Sequence, residues 1–222
     1  MPQANPQDTA ARRPLKSRST RWAAGLARGL LKIGLKPNQV SSLSVVFAGL
    51  ALAVFLCPVQ SAGLWLLAAA GIQLRLLCNL MDGMLAVEGG LKSHNGDLFN
   101  EFPDRLADVF ILAGLGYAGG STVSQTLGWC AACGALMTAC VRMHGASLLG
   151  THDFSGPMAK PHRMAAATFT CVVMAIVSCF TVDFPLITVV LALMVLGITI
   201  TLVRRLVRLS KALRDRSAAP KT

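Results

Sequence analysis

Six apolar stretches run through residues 40–57, 62–87, 98–118, 122–143, 164–182 and 186–203. Each is long enough to cross about 30 Å of hydrocarbon, the first and last near the minimum. Backbone amides and carbonyls in that layer have no water to bond, so such stretches must close their hydrogen bonds internally as helices. The chain is therefore expected to be an all-α integral membrane protein with six transmembrane helices. Its composition agrees: 54% of the 222 residues are hydrophobic and only 14% charged, too few charges for a soluble domain of this size.

The placement of charge predicts how the helices sit. The net charge is +11, with eight Lys and Arg residues before Asn38 and seven after Thr201. Connections 58–61, 119–121 and 183–185 contain no Lys or Arg, whereas 88–97 holds Lys92 and 145–163 holds Lys160 and Arg163. The positive-inside rule then puts both termini and the even-numbered connections on the cytoplasmic side of a bacterial inner membrane. No basic patch interleaved with aromatics accompanies the charge, so nucleic acid is not an expected partner.

Residues 1–20, with Pro2, Pro6 and Pro14, read as a disordered cytoplasmic arm without the apolar run of a cleavable signal peptide. Over 21–36, Trp22, Leu26, Leu30 and Ile33 share one helical face while Arg21, Arg28 and Lys32 gather on another, the pattern of an amphipathic helix lying in the interface. The membrane domain is expected over 37–208 and a basic tail over 209–222. Arg204, Arg205, Arg208, Lys211 and Arg214 read as an anchor on anionic membrane lipid. The seven cysteines fall in apolar runs and read as small buried packing residues.

Acidic residues are concentrated. Asp82, Glu88, Asp97, Glu101, Asp104 and Asp108 account for six of the ten. Carboxylates are expensive near hydrocarbon, so an intramembrane cluster marks a site. Like charges this close repel unless cations hold them, and hard oxygen donors suit Mg²⁺, Mn²⁺ or Ca²⁺ rather than Zn²⁺. Asn79 and Asp82 share a face with Arg75, while Gly83 and Ala86 leave room for a neighbour or ligand near the backbone. Asn100, Asp104 and Asp108 form an i, i+4, i+8 row that Glu101 joins at i+3 to Asp104. The short connection makes the second and third spans antiparallel neighbours, their carboxylate rows facing each other. Pro103 would cost about 3 kcal/mol inside a helix, so the regular third helix is expected to begin there, with Asn100 and Glu101 on the preceding turn. Arg142 and His144 close the fourth span. Arg142, Lys160 and Arg163 are either charge-assisted donors to a phosphate or plain interfacial anchors.

This spacing resembles the CDP-alcohol phosphatidyltransferase signature, D-x-x-D-G-x-x-A-R, eight residues, then G-x-x-x-D-x-x-x-D. Here it reads Asn79-x-x-Asp82-Gly83-x-x-Ala86-Val87, the eight residues 88–95, then Gly96-x-x-x-Asn100-x-x-x-Asp104. Six spans preceded by an amphipathic helix also match, and a branch of the family carries N-x-x-D-G-M-L-A, as this chain does.

The resemblance implies displacement of CMP from a CDP-linked lipid, CDP-diacylglycerol above all, by a small alcohol or phosphorylated alcohol. It also implies two divalent ions, Mg²⁺ or Mn²⁺, on the pyrophosphate, with a homodimer an open assembly. The metal shell implied is Asn79, Asp82, Asn100, Glu101 and Asp104, joined by Asp108, and Asp104 doubles as the general base. Substrate contacts are expected from Arg75, Gly83, Ala86, Gly96, Arg105, Arg142, Lys160 and Arg163.

Three positions depart from the signature: Asn79 and Asn100 replace aspartates, and Val87 replaces arginine. An amide still offers a carbonyl oxygen but no charge. Glu101 and Asp108 are expected to restore that charge, and Arg75 or Arg105 to replace the arginine. Two other readings stay open on these residues. One is a non-catalytic scaffold or lipid-binding relative. The other is an ion-coupled transporter, although no internal repeat is visible and the carboxylates gather at one membrane face.

Overall fold

The computed structural model describes residues 20–88, 90, 96–180 and 185–218, without the side chains of Glu88, Asp97 and Asn100. The arm expected over 1–20 thus lies outside the described residues but for Thr20. Seven helices and no strand are present among the described residues: α1 (Arg21–Lys32), α2 (Pro37–Phe55), α3 (Ala62–Glu88), α4 (Gly96–Ala118), α5 (Thr122–Leu149), α6 (Lys160–Val177) and α7 (Leu186–Ala218). Four of them, α2, α3, α5 and α7, are long and apolar enough to cross a membrane. The charged residues at the start of α4, and the shortness of α6 with Lys160, His162 and Arg163 in its first turn, set those two helices apart.

Several helix ends differ from expectation, each for a local reason. α1 stops at Lys32 because Gly34, at φ +80°, takes the left-handed conformation. The Gly34 and Leu35 amides then donate to the Leu31 and Leu30 carbonyls, closing a Schellman cap. α5 runs past Arg142 and His144 to Leu149, where Gly150 at φ +71° ends it. α7 continues through the basic tail, and its 33 residues span about 50 Å, well beyond the hydrocarbon layer.

Pro103 does not start α4 but sits inside it, so Asn100 and Glu101 are helical. Its cost of about 3 kcal/mol is offset by packing further along, where Ala107, Ile111, Leu112 and Leu115 are all fully buried.

The order of packing also departs from the sequence order. α2 packs against both α3 and α4 along much of their length, while α3 and α4 approach each other only locally. Small residues make the wedge possible. A Cβ at Gly71 on α3 would fall 2.9 Å from the Phe47 carbonyl oxygen of α2, and one at Gly114 on α4 would fall 2.9 Å from Leu52 and Phe55. Ala48 and Ala51 of α2 are fully buried between them. The two carboxylate helices therefore communicate through long side chains near their joined ends.

Another close crossing joins α4 to α5. A Cβ at Gly128 would meet the Gly116 Cα and the Leu112 carbonyl oxygen at 2.8 Å, backbone atoms that cannot swing aside. Gly128→Ala is expected to lower stability by about 1–3 kcal/mol as the two backbones are pushed apart. Thermal unfolding in detergent would reveal it, and an unchanged midpoint would argue against this crossing.

The cysteines divide in a way their apolar surroundings did not reveal. Cys78 and Cys171 are buried, but Cys130, Cys133 and Cys140 lie exposed on the surface of α5 and Cys179 lies exposed in the turn after α6, and all seven are free thiols. A lipid-facing surface tolerates a small apolar side chain as well as the interior does, so apolar context alone could not separate the two.

Candidate functional site

The site forms where the C-terminal half of α3, the N-terminal half of α4 and the start of α6 meet. Contacts between α3 and α4 run in antiparallel register: Asn79 reaches Asp104, and Arg75, one turn earlier, reaches Asp108, one turn later. The row Asp104, Asp108 is presented to α3 because α4 stays helical through Pro103.

Asp108 is the most enclosed member, at 2% exposure. Its Oδ1 accepts from Arg75 Nη2 at 2.7 Å and its Oδ2 from Arg163 Nη2 at 2.9 Å. Arg75 is fully buried and also donates to the Asp104 carbonyl at 3.2 Å, while Arg163, in the first turn of α6, donates to the Met158 carbonyl at 3.0 Å. One carboxylate thus ties α3, α4 and α6 together. Arg75 and Arg163 were expected as substrate contacts. Buried guanidiniums committed to this carboxylate instead serve the interior of the bundle, and the same pairing occupies both oxygens of Asp108.

Asp104 lies closer to the surface, with its side chain 14% exposed. Lys160 Nζ pairs with Oδ2, the Asn79 amide donates to Oδ1, and Arg75 stands 3.6 Å from Oδ1.

Asp82 differs from both. Its Oδ2 accepts from the Ser41 hydroxyl of α2 at 2.6 Å. Its Oδ1 is buried with no hydrogen bond of ordinary geometry, and the residue is 4% exposed. No described cation pairs with it, although Asp104 and Lys160 lie within electrostatic reach.

Glu101 turns away from this group. It pairs with Arg105 on its own helix, and both its oxygens accept from Arg142 of α5 at 2.7 Å. Being helical, it points about 100° around α4 from Asn100 and meets a different neighbour. Arg142 also contacts His152 Nδ1 at 3.2 Å and lies 5.4 Å from the Phe154 ring. Gly83 and Ala86 follow Asp82 on α3, half-buried, and Gly96 opens α4. Asn100 is helical, but its side chain is outside the description.

The premise that like charges here need metal to hold them is therefore corrected. Asp104 and Asp108 are paired with Arg75, Lys160 and Arg163, so the chain supplies cations of its own to two of the three aspartates. Among the described residues no group of three or more His, Cys, Asp or Glu is arranged to hold a metal ion. The hard oxygens of Asp82, Asp104 and the Asn79 amide, together with the unbonded Asp82 Oδ1, nevertheless fit a divalent ion in chemistry.

Sequence reasoning missed residues whose role exists only in three dimensions. Ser41 lies on α2 in no motif. The loop of residues 150–159 is strapped to α7: Arg205 donates to the Ser155 carbonyl at 3.0 Å and the Thr138 carbonyl at 2.8 Å, Met158 N–H donates to Thr201 at 3.0 Å, and Gly156 packs against Thr201. Arg205, expected on anionic lipid, is 6% exposed and buried instead. Asp153 in the same loop is held below the usual carboxylate range. Partial burial pushes it up, but hydrogen bonds from Ser155 outweigh that, helped by Arg205 and Arg208.

A family model described as CDP-alcohol phosphatidyltransferase matches residues 35–209. A bifunctional IPC transferase and DIPP synthase of Rubrobacter xylanophilus is 33% identical over 121 residues, 54% of this chain. The match spans about a quarter of that relative's length, 27%.

The fold is shared with phosphatidylinositol phosphate synthase of Mycobacterium tuberculosis. Its structure with CDP-DAG bound superposes with a TM-score of 0.70 at 21% identity, covering 86% of this chain and 94% of that one. The same synthase in complex with manganese and citrate gives a TM-score of 0.69 at 21% identity, covering 84% and 88%.

Proposed function

Since the chain belongs to the CDP-alcohol phosphatidyltransferase family, we propose that it transfers a phosphatidyl or related phospho-group from a CDP-linked lipid to an alcohol, releasing CMP. CDP-diacylglycerol is the donor we favour, with a small or phosphorylated alcohol as acceptor. The observation that carries this reading is the convergence of Asn79, Asp82 and Asp104, three signature positions, at the α3–α4 junction.

Each residue takes a role in this reading. A divalent ion, when bound by Asp82 and Asp104 with the Asn79 and Asn100 amides, would neutralise the donor pyrophosphate. Asp104 takes the acceptor hydroxyl's proton, a role that comes from the family resemblance and is supported by its 14% exposure at the mouth of the site. Arg142 and Lys160, both partly exposed, are the cations able to turn toward a phosphate. Gly83, Ala86 and Gly96 leave the backbone open to the nucleotide.

The membrane arrangement we favour counts α4 and α6 as two further spans, making six. Their polar segments are satisfied by the ion pairs described above, as intramembrane charge requires. α1 lies in the interface: it buries Ala23 and Ala27 while leaving Trp22 56% and Ile33 76% exposed. The basic termini support a cytoplasmic site in a bacterial inner membrane.

Purified protein in mixed micelles with CDP-diacylglycerol and a panel of alcohols should release CMP. EDTA should abolish release, and Mg²⁺ or Mn²⁺, but not Zn²⁺, should restore it. Release that survives exhaustive chelation would remove the metal from the mechanism. No release with any acceptor would favour the non-catalytic reading, which the amides at Asn79 and Asn100 and the missing arginine at Val87 motivate.

A further inference from the structure

We propose that Lys160 occupies, on Asp104, the place of a second divalent ion, so that this chain binds one ion, centred on Asp82, instead of a pair. The proposal rests on the transferase reading only in supposing that the site takes divalent metal at all.

Four observations converge on it. Both oxygens of Asp104 are engaged by donors, Lys160 on Oδ2 and the Asn79 amide on Oδ1. Both oxygens of Asp108 are held by buried guanidiniums at 2.7 and 2.9 Å. A second ion seated on either carboxylate would have to displace or share one of these donors. Of the three, Asp82 alone is paired with no described cation; its Oδ1 is buried without a hydrogen bond of ordinary geometry, the Gly83 backbone N–H lying beside the carboxylate, in a residue that is 4% exposed. A buried carboxylate held only by a hydroxyl and a backbone N–H recovers part of its lost hydration, and a bound cation would supply the rest.

The fourth observation is that position 79 and Lys160 fit each other. An aspartate at 79 would put a carboxylate against Asp104 Oδ1, a repulsion that only a shared cation relieves. An asparagine there donates its amide to that oxygen instead. Asn79 and Lys160 thus satisfy Asp104 from two sides. The charge sum agrees. Asp82, Asp104 and Asp108 against Arg75, Lys160 and Arg163 give zero, so two divalent ions would leave four uncompensated positive charges and one would leave two. Lys160 differs from Arg75 and Arg163 in that its side chain is 27% exposed.

Counting ions tests this without substrate or turnover. Mn²⁺ titrated into the purified full chain in detergent, followed by loss of the free-ion EPR signal, should saturate at one ion per chain. K160M should bind a second ion or bind Mn²⁺ at least about tenfold more tightly, a difference of 1.4 kcal/mol. K160R, which keeps the charge, should behave as wild type. N79D provides an independent route and should also raise the count or the affinity, so misfolding of one variant does not leave the question open. A wild-type count of two or of zero overturns the proposal, as does a K160M or N79D protein that folds and binds Mn²⁺ as wild type does. Failure of the transferase reading would look different: a count of one with no CMP released.

Discussion

Asp82→Asn and Asp104→Asn are each expected to lower CMP release at least about 100-fold while leaving the fold nearly intact. Losing even an outer partner of a metal ligand costs about 10–100-fold, and losing a general base about 10²–10⁴-fold. Stability should hardly change at Asp82, because its hydrogen bond of ordinary geometry comes from the Ser41 hydroxyl, which an asparagine carbonyl can still accept, and no described cation is left unpaired. At Asp104 the asparagine carbonyl can still accept from Asn79 or Lys160, and Lys160, its side chain 27% exposed, is the least enclosed of the cations around it. CMP release should be read beside detergent melting. Near-normal release from both variants would sink the assignment of these carboxylates to the chemistry.

Asp108→Asn should do the reverse and destabilise the bundle by about 3–5 kcal/mol, because removing one partner of a buried ion pair leaves charge uncompensated. Here two guanidiniums, Arg75 at 0% and Arg163 at 4% side-chain exposure, would both lose their only carboxylate contact shorter than 3 Å. The Nε and Nη1 of Arg75 and the Nε of Arg163 already lack partners, so no alternative acceptor is in place. A strongly lowered midpoint or loss of the folded protein from detergent extracts is the expected result. An Asp108→Asn protein as stable as wild type, but inactive, would instead return Asp108 to the metal shell.

The contrast between Asp82 and Asp108 shows what sequence could and could not distinguish. Both are acidic residues at helical spacing in an apolar chain, and both read as candidate ligands. Their difference lies in which cations approach them, and those come from positions far apart in the chain: Arg163 is 55 residues from Asp108, and Ser41 is 41 residues from Asp82. Periodicity reports which face of its own helix a residue occupies and nothing about what that face meets. Glu101 shows the same limit, since its position on α4 was legible while its commitment to Arg142 of α5 was not.

Length and hydropathy alone determined that the chain is helical and built for a membrane, because hydrocarbon leaves the backbone no other way to satisfy itself. Motif spacing pointed to the α3–α4 junction as the candidate site, since Asn79, Asp82, Gly83, Ala86, Gly96, Asn100 and Asp104 stand at fixed intervals whatever surrounds them. Only the tertiary structure decided that α2 lies between α3 and α4, that Pro103 stays within its helix, and that Arg75, Lys160 and Arg163 neutralise the carboxylates. Those outcomes depend on close packing at Gly71 and Gly114 and on ion pairs between distant segments, and such energies exist only once the helices have met.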